Sequence, residues 1–199
     1  MVDLESCGLG ARLAVFREAT RTVWGDAAVD TVLANVGEES RAALTPGAVN
    51  AEWVPERIFV ECIIALWEGP CGRRDSADFR RWVDVVTDRG FAEARELLIS
   101  LGSPFLVLRR ANELWHYEHS HGKLTFAPLD ARSARLSLRD HPFIDHESSR
   151  VAMGEAFRYI IALSGAADVT ETHSVDAAGV LQVILAWREP LPGGFPVDP

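Results

Sequence analysis

Few features that announce a chemistry or a compartment occur in this chain. Its 199 residues hold three cysteines, Cys7, Cys62 and Cys71. An odd, unpatterned set speaks against a disulfide framework and fits free thiols in a reducing cytosol. The opening residues, Met1-Val2-Asp3-Leu4-Glu5, lack a basic leader, so no secretory signal is read and a cytoplasmic location is expected. The longest apolar run, Ile58 to Trp67, is broken by Glu61 and is about half of the ~20 residues a membrane span needs. Basic clusters are scarce too. Only Arg73–Arg74 and Arg109–Arg110 pair up, acidic residues lie near each, and the formal charge is −9, which argues against a nucleic-acid surface. There is no G-x-G-x-x-G or Walker-type loop, no H-E-x-x-H pair, no internal repeat and no low-complexity block. With neither nucleophile nor oxyanion donors set at a familiar spacing, no catalytic residue is assigned.

What is present describes an ordinary folded domain. The 48% hydrophobic and 25% charged fractions are those of a globular protein, and the length suits one domain with a sizeable core. Residues 1–190 are expected to form a single α+β domain, with 191–199 a flexible tail. Residues 8–120 read as mainly helical. A stripe of Leu9, Leu13, Phe16 and Val23 predicts a helix over 9–23, and Asp26 is placed to cap a second one carrying Val29, Val32, Leu33 and Val36. Leu44-Thr45-Pro46-Gly47 reads as loop. Pro55 suits a helix start, and the following residues to Trp67 are apolar nearly all round, the mark of a buried central helix. Asp75 or Ser76 can cap the next, which turns Phe79, Trp82, Val83 and Val86 inward. Helices are then expected over 91–101 and from Pro104 to the His-rich end.

Residues 121–190 carry a different period. Leu124 and Phe126 alternate with polar neighbours, as do Ala134, Leu136 and Leu138, predicting strands over 124–129 and 132–138. An amphipathic helix over 146–164 follows, and then a hairpin of 169–175 and 180–187 turning at Asp176–Gly179. The order is ββαββ, an antiparallel sheet unit packed on a helical front half.

Candidate chemistry centres on His116-Tyr117-Glu118-His119-Ser120-His121. His116 and His119 would share a helix face and could ligate zinc or iron, against the plainer reading of a helix end whose dipole favours a cation. Glu171 and His173 lie on one strand face, as an acid–base pair or, more simply, a solvated charge pair. Cys62 reads as a small buried hydrophobe. Six tryptophans serve as core anchors or pocket walls. Candidates for an apolar pocket between helices and sheet are Phe59, Ile63, Trp67, Phe126, Phe157 and Trp187, each also readable as plain core.

Three stretches resemble an uncharacterised myxobacterial paralogous family. They are the Pro55-Glu56-Arg57 start of the apolar helix, the Phe91–Leu101 helix followed by Ser103-Pro104, and the junction Leu114-Trp115-His116-Tyr117 to His121-Gly122-Lys123-Leu124. The strand closing on Trp187 completes the likeness, which covers about residues 8–188. That family is similar to the group of heme-nitric-oxide-binding-associated, vinyl-reductase-type and Bet3-like domains, whose α/β fold binds small molecules or partner proteins and often pairs. The resemblance carries over no functional residue. The Tyr-x-Ser-x-Arg triplet that holds heme propionates in the nitric-oxide sensors is absent, and Tyr117-Glu118-His119-Ser120 does not match it. No cofactor is therefore expected. The resemblance implies a non-enzymatic bacterial signalling or regulatory module that binds a small apolar ligand or a protein partner, with a homodimer in view. The alternative is a small metal-dependent enzyme or sensor using the His116–His121 cluster.

Overall fold

The computed structural model describes residues 7–45, 53–73, 75–92 and 95–188. Pro46 and Gly47 of the expected loop, and the expected tail at 191–199, lie outside them. Two short strands, β1 (Cys7–Leu9) and β2 (Trp53–Pro55), pair antiparallel, Cys7 opposite Pro55. Between them run α1 (Ala11–Trp24), α2 (Asp26–Asn35) and α3 (Glu38–Leu44). After β2 come α4 (Glu56–Glu68), α5 (Ala77–Gly90), α6 (Arg95–Leu101), α7 (Pro104–Arg109) and α8 (Ala111–Glu118). The chain then forms β3 (Lys123–Asp130), β4 (Ser133–Arg139), α9 (Glu147–Leu163), β5 (Ala167–Val175) and β6 (Leu181–Arg188). The fold is α+β, with the helices in front and the ββαββ unit behind, as the periodicity predicts.

The last four strands make one antiparallel sheet in the order β3-β4-β6-β5. Strand β6 lies in the interior, and its Leu181, Val183, Leu185 and Trp187 all point into the core. Gly179, at φ +73°, makes the turn before it in a backbone region where a β-carbon is strained. Helix α9 connects the two hairpins and faces two ways. Val151, Ala152 and Ala156 join a helical core built on Leu13, Phe16, Leu66, Phe79 and Trp82. Met153, Phe157, Ile160 and Ile161 join a second core with the sheet. In the helical core Trp67 meets Phe79 edge-on at 4.9 Å, and Phe79 stacks on Trp82 at 5.5 Å. Such aromatic pairs contribute about 0.5–1.5 kcal/mol each beyond the area they bury.

Several local expectations need correction. Strands β1 and β2 and helix α3 are not visible in the periodicity, because each is too short to show a period. Gly25, not Asp26, caps α2; Asp26 is its first residue and accepts from Arg21 Nε at 2.5 Å. Pro55 ends β2, and the helix begins at Glu56. The expected helix from Pro104 to the His-rich end is two helices. At Arg110 the backbone N–H bonds back to the Val107 carbonyl at 2.9 Å, a tighter three-residue turn that breaks the axis. Ser76 caps α5 as read, accepting from the Phe79 N–H at 3.2 Å. Glu61, the charge within the apolar helix, accepts from the N–H of Gly37 at 2.5 Å and from the Ser40 hydroxyl, and so ties α4 to the start of α3. Among the described residues no helix is long and apolar enough to cross a membrane.

Candidate functional site

Glu56 is the first residue of α4, delivered by β2. His119 follows α8 in extended conformation, φ −131° and ψ 132°. Strand β1 holds the two together. It pairs with β2 along one side and bridges Gly8 to His119 along the other, while Cys7 exchanges bonds with Ser120 at 2.8 and 2.9 Å. The His119 ring is fixed by Trp115, stacked on it at 3.9 Å with nearly parallel planes, whose indole N–H donates to the His121 carbonyl at 2.7 Å. His141 arrives from the far end of β4, after a turn at Asp140 with φ +58°, a conformation Asp tolerates better than most residues.

All three side chains are buried. The His119 Nδ1–H donates to Glu56 Oε1 at 2.7 Å, and the His141 Nε2–H donates to the same oxygen at 3.1 Å. Arg12 Nη1 donates to His119 Nε2 at 3.2 Å, and the Phe143 N–H donates weakly to His141 Nδ1 at 3.4 Å. These partners assign the tautomers: each histidine carries its proton toward Glu56 and a lone pair outward. Burial alone would raise the Glu56 carboxyl, but the N–H groups of His119 and His141 outweigh it and hold the carboxyl well below the usual range. Burial lowers His119, and Arg12 adds to that, against the opposing pull of Glu56. Arg12 also lies 3.7 Å from Glu118 Oε2 and over the Phe59 ring at 5.5 Å.

Beside this trio a cavity of about 130 Å³ lies between the helical layer, α9 and the sheet. Phe16, Phe59, Met153, Phe157, Ile160 and Leu136 supply much of its apolar wall, and Arg12, Glu56, Glu118 and His119 gather polar groups in it. Ser149, also on the wall, has a buried hydroxyl without a hydrogen-bond partner among the described residues.

Of the pocket candidates read from sequence, Phe59, Ile63 and Phe157 line this cavity. Trp67, Phe126 and Trp187 do not. Trp67 packs in the helical core against Phe79, Trp187 meets Phe105 at 5.2 Å, and Phe126 lies on the edge strand β3 packed against the sheet core. An aromatic residue in a pattern shows that it faces inward, not which interior surface it faces. His116 and His119 do not share a helix face, because α8 ends at Glu118 and His119 turns away. His116 Nδ1 faces the His119 carbonyl at 3.4 Å. Glu171 and His173 are paired at 3.1 Å but not solvated: the Glu171 carboxylate is covered by α9 at Gly154. Cys62 is fully buried and its thiol is pushed up to about 12, first by burial and then by Glu61. In the sequence Glu56 stands out only within the Pro55-Glu56-Arg57 helix start, and neither it nor His141 carries a site motif. Residues 63 and 85 positions apart leave no local signal of their meeting.

No family model and no curated protein matches this chain. Solved structures do share its fold. An Fe(II) unliganded H-NOX protein from K. algicida aligns with a TM-score of 0.66 at 10% identity, covering 92% of this chain and 98% of that one. A double variant of Tt H-NOX aligns at 0.63 and 13% identity over 96% and 99%. An oxygen-binding H-NOX domain related to soluble guanylate cyclases, in its oxygen complex, aligns at 0.56 and 14% over 96% and 98%. At these identities the likeness is one of fold.

Proposed function

We propose that this chain is a non-enzymatic sensory module of bacterial signalling that takes a small, mainly apolar molecule into the cavity between its helices and its sheet. The observation that carries the reading is the cavity itself: about 130 Å³, walled by side chains from both cores. An engineered apolar cavity of about 150 Å³ in another protein stays dry and binds benzene or xenon, so a space of this size suits a guest of that scale. The unpartnered Ser149 hydroxyl offers one hydrogen bond to such a guest, offsetting a burial that otherwise costs about 1–3 kcal/mol. The likeness to H-NOX structures supports a sensory role and the distant kinship with heme-nitric-oxide-binding-associated domains. Occupancy would shift a surface that a protein partner, or a second copy in a homodimer, reads in the cytoplasm.

Heme, which the fold neighbours suggest, does not fit the residues present. A porphyrin needs at least the roughly 300–1,000 Å³ of a drug-sized pocket. His119 is the one histidine among the described residues lining the cavity, and the sequence lacks the Tyr-x-Ser-x-Arg triplet that would hold the propionates.

The test is thermal unfolding of the whole chain with benzene and with phenol. Both are expected to raise Tm, phenol more, with phenol's advantage lost in Ser149→Ala and both effects lost in the cavity-filling Ala156→Leu. A wild-type Tm that neither compound moves, or an Ala156→Leu variant that responds as strongly, would sink the reading. Incubation with hemin is expected to leave no bound Soret absorption.

A further inference from the structure

We propose that Glu56, His119 and His141 form a binding site for a divalent transition-metal ion, zinc or iron(II), in the wall of the cavity. Among the described residues they are the one His/Cys/Asp/Glu group whose candidate ligand atoms converge, all within 4.8 Å of one another. Two imidazoles and one carboxylate are the donor set of zinc sites with an open fourth position and of facial iron(II) sites. The donors come from three separate parts of the fold: the start of α4, the residue after α8 and the loop after β4. Each is anchored apart from the others, Glu56 by the β1–β2 pair, His119 by Trp115 and the Gly8 bridge, and His141 by the Asp140 turn.

Distance and charge both favour an ion. With metal–donor bonds of about 2.0–2.1 Å, tetrahedral donors stand roughly 3.3 Å apart. The two histidine nitrogens lie 2.7 and 3.1 Å from Glu56 Oε1, so those edges open by a few tenths of an ångström, and the third already lies within 4.8 Å. Glu118 lies 3.7 Å from the Arg12 guanidinium and balances it, while the buried carboxylate of Glu56 adds negative charge that a cation offsets. Glu56 and His119 line the cavity, so the ion would stand at its wall.

Loading the site reverses both histidine tautomers. The proton on His119 Nδ1 leaves and one is gained at Nε2; His141 exchanges Nε2–H for Nδ1–H. No net proton is released from either ring. The new His119 Nε2–H cannot face a guanidinium N–H, so Arg12 must withdraw, and Glu118 Oε2, already 3.7 Å away, is its alternative partner. At His141 the Phe143 N–H contact, at 3.4 Å, is weak and yields. Metal loading thus re-aims Arg12, a residue of the cavity wall. The site does not depend on which guest the cavity takes.

The test is titration of the full chain with Co(II), followed by visible absorption and by competition with Zn(II). One equivalent is expected, with intense tetrahedral bands. Glu56→Gln and His141→Asn should each weaken binding about 100-fold or more, beyond the 10–100-fold typical of outer partners, while His116→Asn stays within about twofold of wild type. Should either ligand variant fail to fold by circular dichroism, ring-proton NMR of the wild type decides: Zn(II) should shift His119 and His141 and leave His116 in place. Absence of saturable binding, affinity unchanged in folded Glu56→Gln and His141→Asn, or a shift centred on His116 overturns the proposal. None of these results touches the benzene experiment, so the two readings fail separately.

Discussion

At Gly122 the backbone holds φ +90°, and a β-carbon there would stand 2.9 Å from Trp115 Nε1 and 3.1 Å from Leu138 Cδ1. Both costs fall on the same atom. The left-handed conformation costs a non-glycine residue about 1–2 kcal/mol, and crowding a packed site adds about 1–3 kcal/mol. Gly122→Ala is therefore expected to lower unfolding free energy by about 3 kcal/mol in urea titration. Gly179→Ala, left-handed but open to space, should lose only about 1 kcal/mol. Equal losses at the two positions would mean that contact with the Trp115 indole contributes nothing. This glycine was legible as a junction from the Trp115–Leu124 motif. Its reason was not, because the ring it shelters is brought up by a helix and aligned by His119 and His121.

Helix α9 shows how an element can be read correctly and still conceal its chemistry. Its apolar half is clear from Val151, Met153, Phe157, Ile160 and Ile161, and the structure divides that half between two cores. Hidden in it is Glu155, fully buried, bound to Arg158 Nε at 2.6 Å and to Arg80 of α5. Close by, Glu171 of β5 packs against Gly154. Burial raises the Glu171 carboxyl and Glu155 raises it further, while His173 and Arg80 pull it down; the net direction is upward. A carboxyl raised in the fold binds its proton more tightly there than in the unfolded chain. Its contribution is thus present at low pH and is lost as pH climbs from its ordinary value of 4.5 through the folded one. Glu171→Gln lacks that loss. Measured by urea unfolding, its stability relative to wild type should rise between pH 4 and pH 7. A difference independent of pH would show that Glu171 titrates normally.

Across the whole molecule, the two cores share α9, so neither half can expose its interior without stripping a face from that helix. Unfolding should therefore be a single transition, in which tryptophan fluorescence, reporting on Trp67 and Trp82 in front and Trp187 behind, coincides with far-UV circular dichroism. Two separated transitions would show that α9 does not couple the halves. The cavity belongs to this scale as well, since its walls come from the front helices, α9 and the sheet together.

Local order was written in the sequence alone. The two-residue alternation of Leu136–Leu138 and of Leu181–Trp187, the apolar run from Ile58, and the turn at Gly179 determined which segments are strands or helices and which sides they bury. These are properties of near neighbours along the chain, governed by backbone geometry and solvent. Which buried surfaces meet was left to the tertiary structure. It seated Trp67 and Trp187 in separate cores, walled a cavity with Phe59 and Phe157, and joined Glu56, His119 and His141 across 85 residues. Those meetings depend on β1 stitching β2 to the end of α8 and on the turn at Asp140, long-range contacts that impose no period on the sequence.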